Sequence, residues 1–211
     1  LGMASYASKK YEADDIIGTL SVRMSELLPG DPAMCIVTRD KDLSQLLKTD
    51  KDYMWDYSGN RRRYRADIKE EFGVSPEQFA DYLGLVGDAV DCITGVPGVG
   101  PVKAKELLRN FTSMDGIYEN LDAVAGLSLR GAAGLASKLE AHQSEARLSR
   151  ELATIICNAS DVHEGFAHAV PSSLEVADID VSSFETFLSN YKFTRNDSAH
   201  LLSVVERFSN Q

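Results

Sequence analysis

Three groups of acidic residues stand where side-chain oxygens can do chemistry. Glu12, Asp14 and Asp15 open a segment with helical apolar spacing. Acids at a helix start are also favoured by the helix dipole, so capping alone is one reading of this group. Glu12 and Asp15 share a helix face, whereas Glu12 and Asp14 serve one site only where the helix is just beginning. Asp40 and Asp42 follow directly on a short apolar run. At i, i+2 on an extended segment they point the same way, and ligands gather at the ends of α/β strands. A helix cap at Asp40 is the plain alternative. Asp88 and Asp91 follow the apolar residues 83–86, and their i, i+3 spacing either converges on one ion or lies in a solvated loop. The three groups together offer oxygen donors with no nearby His or Cys, which suits Mg²⁺ or Mn²⁺ rather than zinc. Carboxylates in such number repel one another unless a cation intervenes. Two ions clamping the attacking and leaving oxygens of a phosphodiester would use this donor set.

A glycine-dense stretch, Gly95-Val-Pro-Gly98-Val-Gly100-Pro101, comes next. Pro101 stands where a Walker loop needs lysine, and Lys103 where a dinucleotide fingerprint needs its third glycine. What remains is a tight hairpin opening a helix that carries Lys103, Lys105 and Arg109. Backbone N–H groups in such a turn can approach a phosphate closely, which positions a nucleic-acid backbone without reading bases. A plain connection between two helices is the other reading. Arg61, Arg62, Arg63 and Arg65 form the densest positive run, suited to tracking a strand of nucleic acid or to blunting a hairpin edge. His142, His163, His168 and His200 match no metal or triad spacing. Trp55 reads as core or hairpin packing.

These groups need elements to place them. The apolar spacing of residues 11–28 predicts a helix stopped by Pro29-Gly30. Residues 33–38 read as a buried strand, residues 42–47 as a short helix, and residues 53–57 and 61–66 as strands about the turn Ser58-Gly59-Asn60. From Ser75-Pro76-Glu77-Gln78, an N-cap signature, the pattern turns helical. Helices are predicted over 102–110, 131–141, 142–157, 182–192 and 197–208. The fold class is therefore α/β: part of a lobe with a central mixed, mainly parallel sheet, followed by a helical region. The division is placed between residues 1–85 and 86–211.

Composition narrows the partners. The 211 residues are 44% hydrophobic and 26% charged, an ordinary globular balance that excludes collagen-like repeats and a disulfide scaffold. With 22 Lys+Arg against 32 Asp+Glu the net charge is −10, so a nucleic acid would be held by local patches rather than bulk charge. The three cysteines, Cys35, Cys92 and Cys157, are widely spaced, which fits a reducing, cytoplasmic setting. No apolar run approaches the roughly 18 residues of a membrane span. A monomer with no membrane partner is expected.

Taken in order, Tyr11-Glu-Ala-Asp-Asp15, Thr38-Arg-Asp-Lys-Asp42, Gly87-Asp-Ala-Val-Asp91 and Gly95-Val-Pro-Gly-Val-Gly-Pro101 resemble the 5′-nuclease (flap endonuclease) family, in particular the 5′→3′ exonuclease domain of bacterial DNA polymerase I and its free-standing relatives. The likeness continues through Leu129-Arg-Gly-Ala132, Lys138-Leu-Glu140 and Leu152-Ala-Thr154, and loosely over residues 184–193. It implies a two-metal hydrolase acting on DNA with 5′ flaps or 5′ ends. By motif, Glu12, Asp14 and Asp15 would serve mainly the first ion, and Asp40, Asp42, Asp88 and Asp91 the second. The catalytic set would be Asp14, Asp40, Asp42, Asp88 and Asp91. Gly98, Gly100, Lys103 and Lys105 would belong to a helix–three-turn–helix (helix–hairpin–helix) element that grips the duplex and holds K⁺. Cys92 stands where the family usually has Asn. The resemblance also implies roughly a hundred preceding residues, with a further first-metal Asp and a threading arch, so the chain reads as lacking the amino-terminal part. A DNA-binding module without catalysis is the alternative from another class. A phosphatase using Asp40 as nucleophile and Asp42 as acid would leave Glu12–Asp15 and the hairpin unexplained.

Overall fold

A computed structural model describes residues 2–160 and 165–209, so His163 lies outside the described residues. The chain divides into two compact units, Gly30–Asn158 and the pair of segments Leu1–Pro29 and Ala159–Gln211.

In the Gly30–Asn158 unit, strands β1 (Cys35–Val37), β2 (Tyr53–Asp56) and β3 (Arg61–Tyr64) form a mixed sheet in that order. β1 runs parallel to β2, with Cys35 opposite Tyr53; β2 and β3 form a hairpin, with Tyr53 opposite Tyr64. A 3₁₀ turn, Asp42–Leu46, follows β1 and buries Leu43 and Leu46. The third strand ends two residues before the expected 66, because the chain turns at once into helix α2 (Arg65–Phe72). That helix escaped the apolar pattern, since Ile68 is its one buried residue. Its local signals are the Tyr64 amide donating to Asp67 and left-handed Gly73 at its end.

Helices α3 (Phe79–Val86), α4 (Pro101–Phe111), α5 (Met114–Glu119), α6 (Leu121–Val124), α7 (Ala132–Ala141) and α8 (Gln143–Ala153) complete this unit. α8 stops short of the expected 157. The Gln45 side chain donates to the Ala153 carbonyl at 2.8 Å and accepts from the Ile155 amide at 3.4 Å, so a tertiary contact satisfies the backbone at the helix end. α3 packs closely on α8, where Gly84 leaves room for the Arg150 backbone. Arg150 pairs with Asp115 at 2.8 Å and reaches Asp81 at 3.5 Å, while Asp81 accepts the Met114 amide.

The other unit holds α1 (Ala13–Leu27), α9 (Pro171–Leu174), α10 (Val181–Asn190) and α11 (Arg195–Ser209). Ile16 of α1, Ala159 and Phe166 form its buried cluster, with Tyr11 edge-on to Phe166. The Ala159 amide donates to the Thr19 hydroxyl at 3.0 Å, and Arg23 donates to the Ala169 carbonyl.

One buried carboxylate sets the start of β1. Asp52, 3% exposed, accepts the backbone amides of Met34, Lys48 and Thr49 at 2.7–2.9 Å. Hydrogen bonds to a charged acceptor are strong, and orphaned buried donors are costly. Asp52→Ala is therefore expected to lower stability by about 3 kcal/mol in chemical denaturation, with Asp52→Asn recovering part of the loss.

Candidate active site

The loops that leave β1 and α3 bring distant acids together. The ligating oxygens of Asp42, Asp88 and Asp91 all lie within 4.8 Å of one another. Two oxygens on one octahedral Mg²⁺ are at most about 4.2 Å apart, so the group needs only a small closure to share an ion. Its donors are hard carboxylate oxygens, and Oδ1 of Asp42 is buried and accepts no hydrogen bond. The residues present fit a divalent cation.

Asp42 is placed by the 3₁₀ turn, whose apolar Leu43 and Leu46 anchor it in the core. Asp40 is exposed and stands outside the converging group. Its Oδ1 accepts the Asp42 amide at 3.0 Å, and its own amide donates to the Thr38 hydroxyl. Asp40 thus caps the turn that holds Asp42.

Asp88 is placed by a closed loop. Its amide and carbonyl exchange hydrogen bonds with Ile93 at 2.8 and 2.7 Å, and its Oδ1 accepts the Val90 amide at 2.8 Å. The ends of this loop are held by two glycines. Gly87 has φ +81° and ψ 170°, and a Cβ there would sit 2.6 Å from the Ile93 carbonyl oxygen. Gly95 has φ +64°, and its Cβ would meet the Gly87 amide at 2.4 Å. Within the loop, exposed Cys92 takes φ +58°, a left-handed conformation that asparagine tolerates better than cysteine.

Lys41, between the two acids of the second group, is no metal ligand by residue type, and nothing in its spacing sets it apart. Its Nζ lies 2.5 Å from Asp88 Oδ2 and 3.3 Å from Asp42 Oδ1. Burial disfavours its charge, but the hydrogen bond to Asp88 and the field of Asp42 outweigh this and hold its pKa above the ordinary lysine value. The same hydrogen bond, against some burial and with help from the Val90 amide, holds Asp88 below the usual carboxylate range. Burial pushes Asp42 up, Asp40 and Asp88 add to this, and Lys41 opposes it.

Glu12 and Asp15 form a reciprocal capping box at the start of α1, with the Glu12 amide donating to Asp15 at 3.3 Å. Asp14 lies in the first turn of the same helix, half-buried. These three acids belong to the Leu1–Pro29 segment, the other four to the Gly30–Asn158 unit.

The glycine hairpin leads into α4, with Gly100 as its N-cap and Pro101 as its first residue. The Val96 amide donates to the Leu85 carbonyl and the Gly95 amide to buried Ser149, which ties the hairpin to α3 and α8. Lys103 Nζ donates back to the Gly98 carbonyl at 2.9 Å. The Lys105 stem lies over Gly73, 2.6 Å from where a Cβ would stand. A Cβ on Gly100 would meet nothing within 4 Å. In the arginine run, Arg61 and Arg63 pair with Glu71, Arg65 pairs with Glu77, and Arg62 covers the rings of Tyr53 and Trp55. These intramolecular contacts occupy the run along the hairpin edge.

Two substitutions probe the loop that carries Asp88 and Asp91. Gly95→Ala is expected to cost about 3 kcal/mol by backbone collision and strain, whereas Gly100→Ala should stay within about 0.5 kcal/mol. Cys92→Asn should raise stability by about 0.5–1 kcal/mol by easing the left-handed residue. Equal melting shifts for the two glycine variants would contradict this account of the hairpin.

Two family models match the chain over adjoining stretches. Residues 1–73 match the 5′-3′ exonuclease N-terminal resolvase-like domain, and residues 74–173 the 5′-3′ exonuclease C-terminal SAM fold. DNA polymerase I of Pseudomonas aeruginosa is 42% identical over 74% of this chain, which spans 17% of that protein. A 5′-3′ exonuclease of Buchnera aphidicola is 36% identical over 74% of this chain and is spanned over 53% of its length. The chain thus corresponds to a part of these relatives. Among solved structures, a bacteriophage T5 5′-exonuclease variant shares the fold with a TM-score of 0.64 at 23% identity, over 80% of this chain and 68% of that one. The T5 flap endonuclease, solved with DNA and metal ions, superposes with a TM-score of 0.56 at 19% identity, over 97% and 62%. The ordered acidic motifs, the carboxylates that converge after β1 and α3, and the two matching models agree: the chain belongs to the 5′→3′ exonuclease family.

Proposed function

We propose that this chain acts as a metal-dependent, structure-specific 5′ nuclease that hydrolyses DNA phosphodiesters at 5′ flaps or 5′ ends with two metal ions. The observation that carries this reading is the convergence of Asp42, Asp88 and Asp91 from loops far apart in the sequence. Among the described residues no helix is long and apolar enough to cross a membrane. The reading is of a cytoplasmic monomer, with the functional division kept at 1–85 and 86–211.

Asp42, Asp88 and Asp91 would hold the second ion, with Asp40 fixing the turn beneath them and reaching the site from its edge. Glu12, Asp14 and Asp15 are assigned to the first ion by motif. Bound Mg²⁺ or Mn²⁺ would lower the pKa of a water and stabilise the departing oxygen. The protein's own part is to bring the carboxylates together and to orient the duplex. The hairpin at Gly98 and Gly100, with Lys103 and Lys105 beside it, would take the phosphate backbone and a K⁺ ion. Attack of water on phosphorus breaks the P–O bond, leaving a phosphate on one product and a hydroxyl on the other.

Cleavage of a labelled 5′-flap DNA with Mg²⁺ and with EDTA tests the proposal. Cutting near the junction is expected with metal and none with EDTA. Asp88→Ala should abolish cutting and leave duplex binding nearly unchanged; parallel loss of both would overturn the assignment. Lys103→Ala and Lys105→Ala should each weaken duplex binding and reduce the salt slope by about 1. Binding that ignores both lysines would remove the hairpin from the DNA interface.

A further inference from the structure

Lys41 has no part in the donor set above, yet its ammonium sits among those oxygens. It touches the two most buried carboxylates of the group, Asp88 at 2.5 Å and Asp42 at 3.3 Å, whose side chains are 7% and 15% exposed. The approach to Asp42 is made to its buried Oδ1, an atom for which the ammonium supplies the neighbouring positive charge. Two carboxylates at this depth repel unless a cation lies between them. Arg39, the other cation of the β1 loop, is turned away, 3.9 Å from Asp56 with its side chain 82% exposed.

We propose that Lys41 is a resident placeholder cation that holds Asp42 and Asp88 together in the metal-free protein and must withdraw before a divalent ion can bind. This rests on the reading of Asp42, Asp88 and Asp91 as a metal centre. An ammonium and a divalent ion cannot share the same inward-facing oxygens at contact distance, so binding is an exchange of one cation for another. The exchange has two consequences. The acids are already gathered when an ion arrives, and the apparent affinity falls by the fraction of molecules in which Lys41 has left. Lys41 is thus a positioning residue whose side chain sets how much divalent ion the centre needs. Its stem is partly exposed, which gives the ammonium a path to solvent.

The test compares wild type, Lys41→Met, Lys41→Arg and Asp88→Asn by calorimetric titration with Mn²⁺ and by thermal melting in EDTA and in saturating Mn²⁺. Lys41→Met keeps the stem and removes the charge. It should bind Mn²⁺ about tenfold more tightly than wild type, the scale of removing one adjacent cation. It should also melt lower in EDTA, so that the gap between its metal-free and metal-bound melting temperatures widens. Lys41→Arg keeps a cation and should hold the wild-type gap, so it reports on the charge if the Met variant folds only with metal present. Unchanged Mn²⁺ affinity in Lys41→Met, with binding still lost in Asp88→Asn, would overturn the placeholder role and leave the metal centre standing. Mn²⁺ binding indifferent to Asp88→Asn would overturn both.

Discussion

Two carboxylates pressed against one ammonium at the ends of β1 and α3 make the demand that the surrounding structure answers. Asp42 and Asp88 come from separate loops, and their mutual repulsion in a partly buried place would open the site if nothing opposed it. Lys41 opposes it with charge, and the backbone opposes it with rigidity. The 3₁₀ turn fixes Asp42 from below through buried Leu43 and Leu46. The Asp88–Ile93 exchange of hydrogen bonds fixes the other side, on a loop whose ends admit only glycine.

The same loop joins the acidic centre to the hairpin. Gly95 closes against Gly87 and leads directly into the turn before α4, so the carboxylates and the glycine hairpin share a short covalent and packed support. Val96 and Gly95 are tied back to α3 and α8, and the Arg150–Asp81–Asp115 network braces those helices.

Much of this was legible in the residues. The apolar run before Asp40 and the Ser58-Gly59-Asn60 turn mark the sheet, and the Ser75-Pro76-Glu77-Gln78 signature marks the change to helices. The pattern failed where burial was slight or the cause lay far along the chain. α2 buries only Ile68, so apolar spacing could not announce it. The end of α8 is set by Gln45, a residue remote in sequence that caps it through space. The arginine run showed its charge plainly but not its partners, because Glu71 and Glu77 meet it only after the chain folds.

The order and types of the acids, the glycine hairpin and the oxygen-only donor chemistry were determined by the sequence, because residue type and local spacing are written in it directly. Which acids meet was decided by tertiary structure. Asp42, Asp88 and Asp91 converge, Asp40 accepts the Asp42 amide from beside them, and Glu12 and Asp15 engage each other at a helix start. The role of Lys41 also belongs to the fold: in sequence it is a spacer between two aspartates, and in space it is the cation that lets them stay together. Local spacing fixes which face a side chain can use, but the field around it is summed over every charge the fold brings near.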